Sequence, residues 1–300
     1  MNISELKSRF SSIAKIKKGG QKIVYSAVDA QGETVALKII GNATDPRVLQ
    51  EIDIVKGLAL PNVPRIIESG IVTDDTVSED ALYIVEQYVD GISLRDWLNA
   101  GNTADLSMAY RILHTLLTVE IELEKSDILH RDINPNNIIL GKDGLVYLID
   151  FGLAKKLGGT SLTQTAAIHG PFTPGYAPHE QFANIKLAQD VRTDLFQIGV
   201  TLYECCTGKN PFVKANETIY QIMTRTMTMV PPNLALQGDT KGMFSLFINM
   251  LMAKNQSQRP DTATDAMRYL LAIKSSLNLG GKEWNCIYNS DMVCRHLPKN

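Results

Sequence analysis

Two short stretches of this chain carry side chains of a type and spacing suited to chemistry. His130-Arg131-Asp132-Ile133-Asn134-Pro135-Asn136-Asn137 places an Asn five residues after an Asp, and Asp150-Phe151-Gly152 follows a brief apolar strand expected at Tyr147-Leu148-Ile149. Asp132 is a candidate proton acceptor. Asn137 and Asp150 offer oxygens of the kind that bind a hard cation such as Mg. Together they suit transfer of a phosphoryl group from Mg-ATP to a hydroxyl, in which the phosphates are held, their charge is neutralised and the acceptor is aligned. With an ordinary pKa, Asp132 is a weak base, so its orientation should matter more than its basicity. Singly, an Asp or Asn in a loop is a common turn former; the spacing of the set is what makes it specific.

The elements that must position these loops can be read from the pattern on either side. Residues up to about Ile16 read as a short polar lead. Residues 23–28 and 34–40 are strand candidates joined by a turn at Asp29-Ala30-Gln31-Gly32. Asp45-Pro46 opens a helix pattern that Pro61 and Pro64 end, and two further strands are expected at 65–72 and 81–89 around an acidic loop. After Asp90-Gly91 the pattern turns mainly helical. Helices are expected at 94–98, at 107–125 with Ile112, Leu116, Val119 and Leu123 on one side, and at 195–206, 243–252 and 262–277. Residues 155–180, rich in Gly, Thr and Pro, read as a long functional loop. The expected division is a β-rich unit at 1–89, a larger helical unit at 90–278 and a tail at 279–300.

Three hundred residues suffice for two units with substantial cores, and a net charge of −2 gives no global attraction to nucleic acid or an anionic membrane. No apolar run reaches membrane-spanning length: the longest candidate, 195–206, is interrupted by Gln197, Thr201 and Glu204 and reads as a buried helix. With no signal-peptide core at the N-terminus, a cytosolic location is expected. Cys205 and Cys206 fall inside that apolar helix and read as core. Cys286, Cys294 and His296 lack a fourth ligand for zinc and read as part of an exposed tail.

The paired loops resemble the catalytic and metal-binding loops of protein kinases, and the loop composition is similar to bacterial Hanks-type (eukaryotic-like) serine/threonine kinases over about residues 15–275. The resemblance implies an α+β fold with a small β-rich N-lobe and a larger mainly helical C-lobe, Mg and ATP as cofactors, and a protein substrate. Lys38, in Val35-Ala36-Leu37-Lys38, stands at the family's third-strand lysine that contacts the α- and β-phosphates, with Glu51 as its expected helix partner. Gly19-Gly20 stands at the phosphate-covering loop, with Lys17 and Lys22 in place of its outer glycines. Val24 and Ala36 are expected over the adenine and Ile139 beneath it. Val85-Glu86-Gln87-Tyr88-Val89 aligns with the segment whose backbone bonds adenine; Gln87 and Val89 are its candidate contacts, and Glu86 falls at a gate position where apolar residues are commoner. His130 and Phe151 are expected to pack rather than react.

The chain also departs from the family pattern. Asn134 occupies a catalytic position that is usually Lys; it can donate a hydrogen bond but brings no charge, which implies a slower enzyme. Residues 173–180, Thr-Pro-Gly-Tyr-Ala-Pro-His-Glu, resemble the peptide-docking loop with its usual Ala-Pro-Glu altered to Pro178-His179-Glu180. In the same comparison Thr173 contacts the catalytic loop, Asp194 braces its backbone and Arg259 pairs with Glu180. Arg131 before the base goes with phosphorylation of the loop carrying Thr160, Ser161, Thr163 and Thr165, and autophosphorylation is expected. A nucleotide-binding scaffold without activity and a small-molecule kinase stand as alternatives.

Overall fold

The computed structural model describes residues 2–19, 22–41, 60–74, 79–151, 154–156, 172–185 and 188–279. Contacts along the chain gather into two compact units that meet in sequence between Asp90 and Gly91.

The first unit is a five-stranded antiparallel sheet in the order β1-β2-β3-β5-β4, with β1 at Ser12–Gly19, β2 at Lys22–Val28, β3 at Thr34–Ile40, β4 at Ile66–Asp74 and β5 at Glu79–Gln87. A short helix α1, Ile3–Ser8, precedes it, started by a capping box between Asn2 and Glu5. The polar lead is thus shorter than expected, and β1 begins before Ile16. A bulge between Lys15 and Lys17 breaks the two-residue alternation and leaves Ile16 exposed, which hides the strand in the sequence. β3 is central and buried on both faces from Val35 onward. Val35, Leu37 and Ile39 pack with Leu6, Ala27, Val72, Tyr83 and Val85. Ala36, Lys38 and Ile40 point to the opposite face, where Ile40 meets Leu82 and Ile84.

The second unit opens with β6 (Gly91–Ser93) and α2 (Leu94–Asn99), then the long α3 (Leu106–Lys125) and β7 (Ile128–Leu129). A single 3-10 turn at Pro135–Asn137 leads into β8 (Ile138–Gly141) and β9 (Val146–Leu148), followed by β10 (Lys155–Lys156). The helices α4 (His179–Phe182), α5 (Val191–Thr207), α6 (Ile219–Thr228), α7 (Met243–Leu251) and α8 (Ala263–Ile273) complete it. β6, β8 and β9 form a small antiparallel sheet, and β7 pairs with β10. These ladders have two to four residues per strand, too few to show a period; β9 answers the brief strand expected at 147–149, and the others, like α6, were not foreseen. The helices at 94–98, 107–125, 195–206 and 243–252 occur with ends shifted by a few residues, whereas the last stops at Ile273 and continues as a 3-10 turn.

α5 is the core of this unit. Almost every residue from Val191 to Cys205 is buried, Cys205 among them. Gly199 lets α7 approach closely: a β-carbon there would lie 2.8 Å from Leu251 Cβ and 2.9 Å from Met252 Cγ. α3 lays Ile112, Leu113, Leu116, Val119 and Leu123 into the core with no exposed surface. Its Glu120 is equally buried, and neither carboxylate oxygen has a hydrogen-bond partner among the described residues. Burial, then the nearby carboxylates of Asp194 and Glu124, raise the Glu120 pKa well above its ordinary value. An acid raised in the folded state stabilises fully below its unfolded pKa, and that contribution is lost as pH climbs toward the folded value. Glu120→Gln should therefore melt at a higher temperature relative to wild type at pH 8 than at pH 5; parallel melting curves across that range would contradict the assignment.

Candidate active site

The loop at 130–137 is shaped by side chains from α5. Arg131 has φ 66°, a left-handed conformation that costs a non-glycine residue roughly 1–2 kcal/mol. Both ends of that residue are held. Asp194 accepts the N–H of His130 at 2.8 Å and of Arg131 at 2.7 Å. Gln197 accepts the N–H of Ile133 at 2.7 Å and donates to the Arg131 carbonyl at 2.9 Å. Gln181 donates to the same carbonyl at 2.8 Å and accepts from Gln197, and Thr201 donates to the Ile133 carbonyl. Asp194, Gln197 and Thr201 stand at i, i+3 and i+7, one face of the helix. Burial pushes the Asp194 carboxyl up to about 7, while its two backbone N–H bonds favour the ion, so of the Asp194–Glu120 pair Asp194 ionises first.

Asp132 is oriented from three directions. Thr173 Oγ1 donates to Oδ1 at 2.5 Å, Asn137 Nδ2 to Oδ2 at 2.8 Å, and Asn134 Nδ2 to Oδ1 at 3.0 Å. Asn134 also caps the 3-10 turn, accepting from the Asn136 N–H. The second loop is tied to the first where the Ile149 N–H donates to the Asn137 carbonyl at 2.8 Å. Asp150 has φ 70°, a second left-handed non-glycine residue. The Asp132 pKa is not ordinary: burial raises it, the hydrogen bonds from Thr173 and Asn137 lower it, and the Asp150 charge adds to the rise. His130, fully buried against the Phe151 ring at 4.6 Å, is pushed down to about 4 by burial and is neutral at pH 7. It packs, as expected, and carries no charge into the site.

Residues 173–180 are anchored to the same helical core. Glu180 pairs with Arg259 at 2.6 Å, both buried, and Arg259 also donates to the carbonyls of Arg192 and Ala253. Tyr176 donates to Glu204, which pairs with Arg95 at 2.7 Å. Gly175 has φ 83°, and a β-carbon there would strike Val213.

In the first unit, Val24 pairs with Lys38 and Ala36 with Glu86, which puts these side chains on one face of the sheet. Lys38 Nζ lies 2.7 Å from Glu86 Oε1. Gly19 ends β1 opposite Lys22. The Gln87 N–H donates to the Arg65 carbonyl at 2.9 Å, while its side chain is exposed. Val89 lies in the segment between β5 and β6, half-buried. Ile139, in the second unit, lies on β8 between Ser93 and Tyr147. Gly20, Glu51, the loop hydroxyls from Thr160 to Thr165, and Cys286 and Cys294 lie outside the described residues.

Residues 10–271 match the family described as the protein kinase domain. The chain belongs to that family. It is 32% identical to a probable serine/threonine-protein kinase PknB of Bifidobacterium longum, over 85% of this chain and 39% of that one. It is 29% identical to the serine/threonine-protein kinase PknB of Mycobacterium leprae, over 86% and 42%. It is 36% identical to a probable serine/threonine-protein kinase of Streptomyces coelicolor, over 65% and 30%. The chain thus spans about two fifths or less of the length of these curated relatives.

Three residues that shape this kinase domain's loop escaped the sequence reading: Gln181, Gln197 and Thr201. Gln197 and Thr201 carried a signal, since each interrupts an apolar helix on the face that Asp194 begins. Gln197→Leu leaves the Ile133 N–H without its observed acceptor, at roughly 1–3 kcal/mol. We expect denaturant unfolding to show that loss together with a lower turnover number; unchanged stability would remove Gln197 from the loop's support.

Proposed function

We propose that this domain transfers the γ-phosphoryl group of ATP to serine or threonine hydroxyls of protein substrates. The observation that carries the reading is the hydrogen bond from Thr173, on the segment that resembles a peptide-docking loop, to the carboxylate of Asp132. It ties the candidate base to the segment that would present an acceptor. Asp132 takes the acceptor proton, and its burial keeps the carboxylate more basic than a solvated Asp.

Asn137 and Asp150 are oxygen donors on adjoining backbone, a set that fits Mg, which accepts few protein ligands and keeps water on its remaining positions. The two would hold the ion, which when bound supplies charge neutralisation at the phosphates. Among the described residues no group of three His, Cys, Asp or Glu side chains forms a richer metal site. Lys38 contacts the phosphates and Glu51 is its helix partner. Gly19 and Gly20 cover the phosphates, Val24, Ala36 and Ile139 enclose the adenine, and Gln87 and Val89 meet its edge through their backbone. Asn134, bonded to Asp132, helps orient the base.

Autophosphorylation on the loop bearing Thr160, Ser161, Thr163 and Thr165 belongs to the same proposal. A cytosolic setting accords with the described residues, in which no helix is long and apolar enough to cross a membrane. The net charge of −2 gives no reason to invoke nucleic acid.

The deciding assay is Mg-dependent transfer of γ-phosphate to the protein itself and to a generic protein acceptor. Asp132→Ala should retain ATP binding and lose about 10²–10⁴-fold in transfer rate. ATP binding by both proteins with transfer by neither would make the domain a scaffold. Turnover should also fall with acidity through a group titrating above the ordinary Asp value of 3.8, since burial raises Asp132; an acidic limb at or below that value contradicts its role. Asn134→Lys is expected to speed turnover, and a large fall in rate would refute the tuning role of Asn134.

A further inference from the structure

We propose that Glu86 is a positioning residue for Lys38, so that the sheet carrying this lysine also supplies a carboxylate that fixes it. The inference rests on the reading of Lys38 as the phosphate-contacting cation.

Three observations and two physical arguments carry it. Lys38 is 5% exposed and Glu86 9%, and their charged atoms lie 2.7 Å apart. The strand register makes the contact a built feature of the fold: Ala36 faces Glu86 and Lys38 faces Ile84, so the two side chains are diagonal neighbours on one face of adjacent strands. Along β3 and β5 the neighbouring positions on that face are Ala36, Ile40, Leu82 and Ile84, all apolar and buried, while across β2 the face continues with the half-buried Lys22, Val24 and Ser26. A buried ion pair is a poor source of stability compared with apolar packing of similar volume, so stability gives no reason for charge at the site. Finally, an ammonium on a flexible four-carbon stem has no fixed direction until a partner defines it.

The family resemblance assigns Lys38 a partner on a separate element, Glu51. A carboxylate on β5 reaches Lys38 through strand pairing alone. Glu86 thereby holds the ammonium on the face shared with Val24 and Ala36 without requiring another element to be brought to the sheet. Activity should accordingly fall when either carboxylate is lost, because the remaining one orients Lys38 less firmly by itself, and fall further when both are lost.

The test uses the full chain. Glu86→Gln keeps the shape and removes the charge; Glu86→Asp keeps the charge and shortens its reach. For each, and for Glu86→Gln combined with Glu51→Gln, kcat, KM for ATP and KM for the protein acceptor are measured at saturating Mg, with melting temperature alongside. We expect Glu86→Gln to raise KM for ATP at least fivefold while KM for the acceptor stays unchanged. Glu86→Asp should recover part of the loss, and the double variant should lose more than the product of the single losses. A lower melting temperature with KM for ATP and kcat within twofold of wild type would mean a structural role only and overturn the proposal. Should Glu86→Gln fail to fold, Glu86→Asp decides by the same criterion. Wild-type protein that binds no ATP would overturn the kinase reading and this inference together, whereas an ATP-binding wild type with unresponsive Glu86 variants overturns the inference alone.

Discussion

The left-handed backbone at Arg131 is the constraint from which the rest of the site follows. A long side chain disfavours that conformation, and the loop adopts it because Asp194 takes the N–H on one side while Gln197 and Gln181 hold the carbonyl on the other. The direction of Asp132 depends on this bend. So does the placing of Asn134 and Asn137, whose side chains reach back to the Asp132 carboxylate. α5 can act as such a support because it is buried along nearly its whole length and packs tightly on α7 at Gly199. A polar row on a rigid buried helix defines a loop more sharply than contacts between loops.

The domain distributes its buried charges with the same economy. Arg259 and Glu180, Arg95 and Glu204, and Lys38 and Glu86 are each close pairs in which at least one member is almost fully buried. The first two fasten the segment at 173–180 to the helical core and make no contact that chemistry requires. The third joins two strands of the first unit and involves the lysine that the family places at the phosphates. Glu120 is different, since it is buried with no hydrogen-bond partner among the described residues, and burial beside Asp194 raises its pKa.

Asn134 shows how a departure from a family pattern is absorbed. In place of a Lys charge, the position holds an amide that donates to Asp132 and caps the turn leading to Asn137. The loop keeps Asp132 and Asn137 in contact and its bracing from α5, and the altered Pro178-His179-Glu180 keeps its ion pair with Arg259. The matched relatives are serine/threonine kinases by name.

Much of this was legible before any coordinates. Asp132 and Asn137 are five residues apart, so their sharing one loop could be read from spacing. The helical period marked α3 and an apolar run marked α5, and the Asp194 brace and the Arg259–Glu180 pair followed from the family motifs. Other features were hidden for physical reasons. β1 was masked by its bulge, and β7 and β10 are too short to have a period. The raised pKa of Asp132 comes from burial, which depends on what packs around the loop. The Lys38–Glu86 pair depends on register: sequence put an acid near the end of a strand, and only the pairing of Ala36 with Glu86 brought it to the lysine's face. The sequence by itself determined which groups are present and which share a loop, because those follow from order along one chain. Tertiary structure decided which of them meet, because contact between strands and helices is set by packing that no local spacing contains.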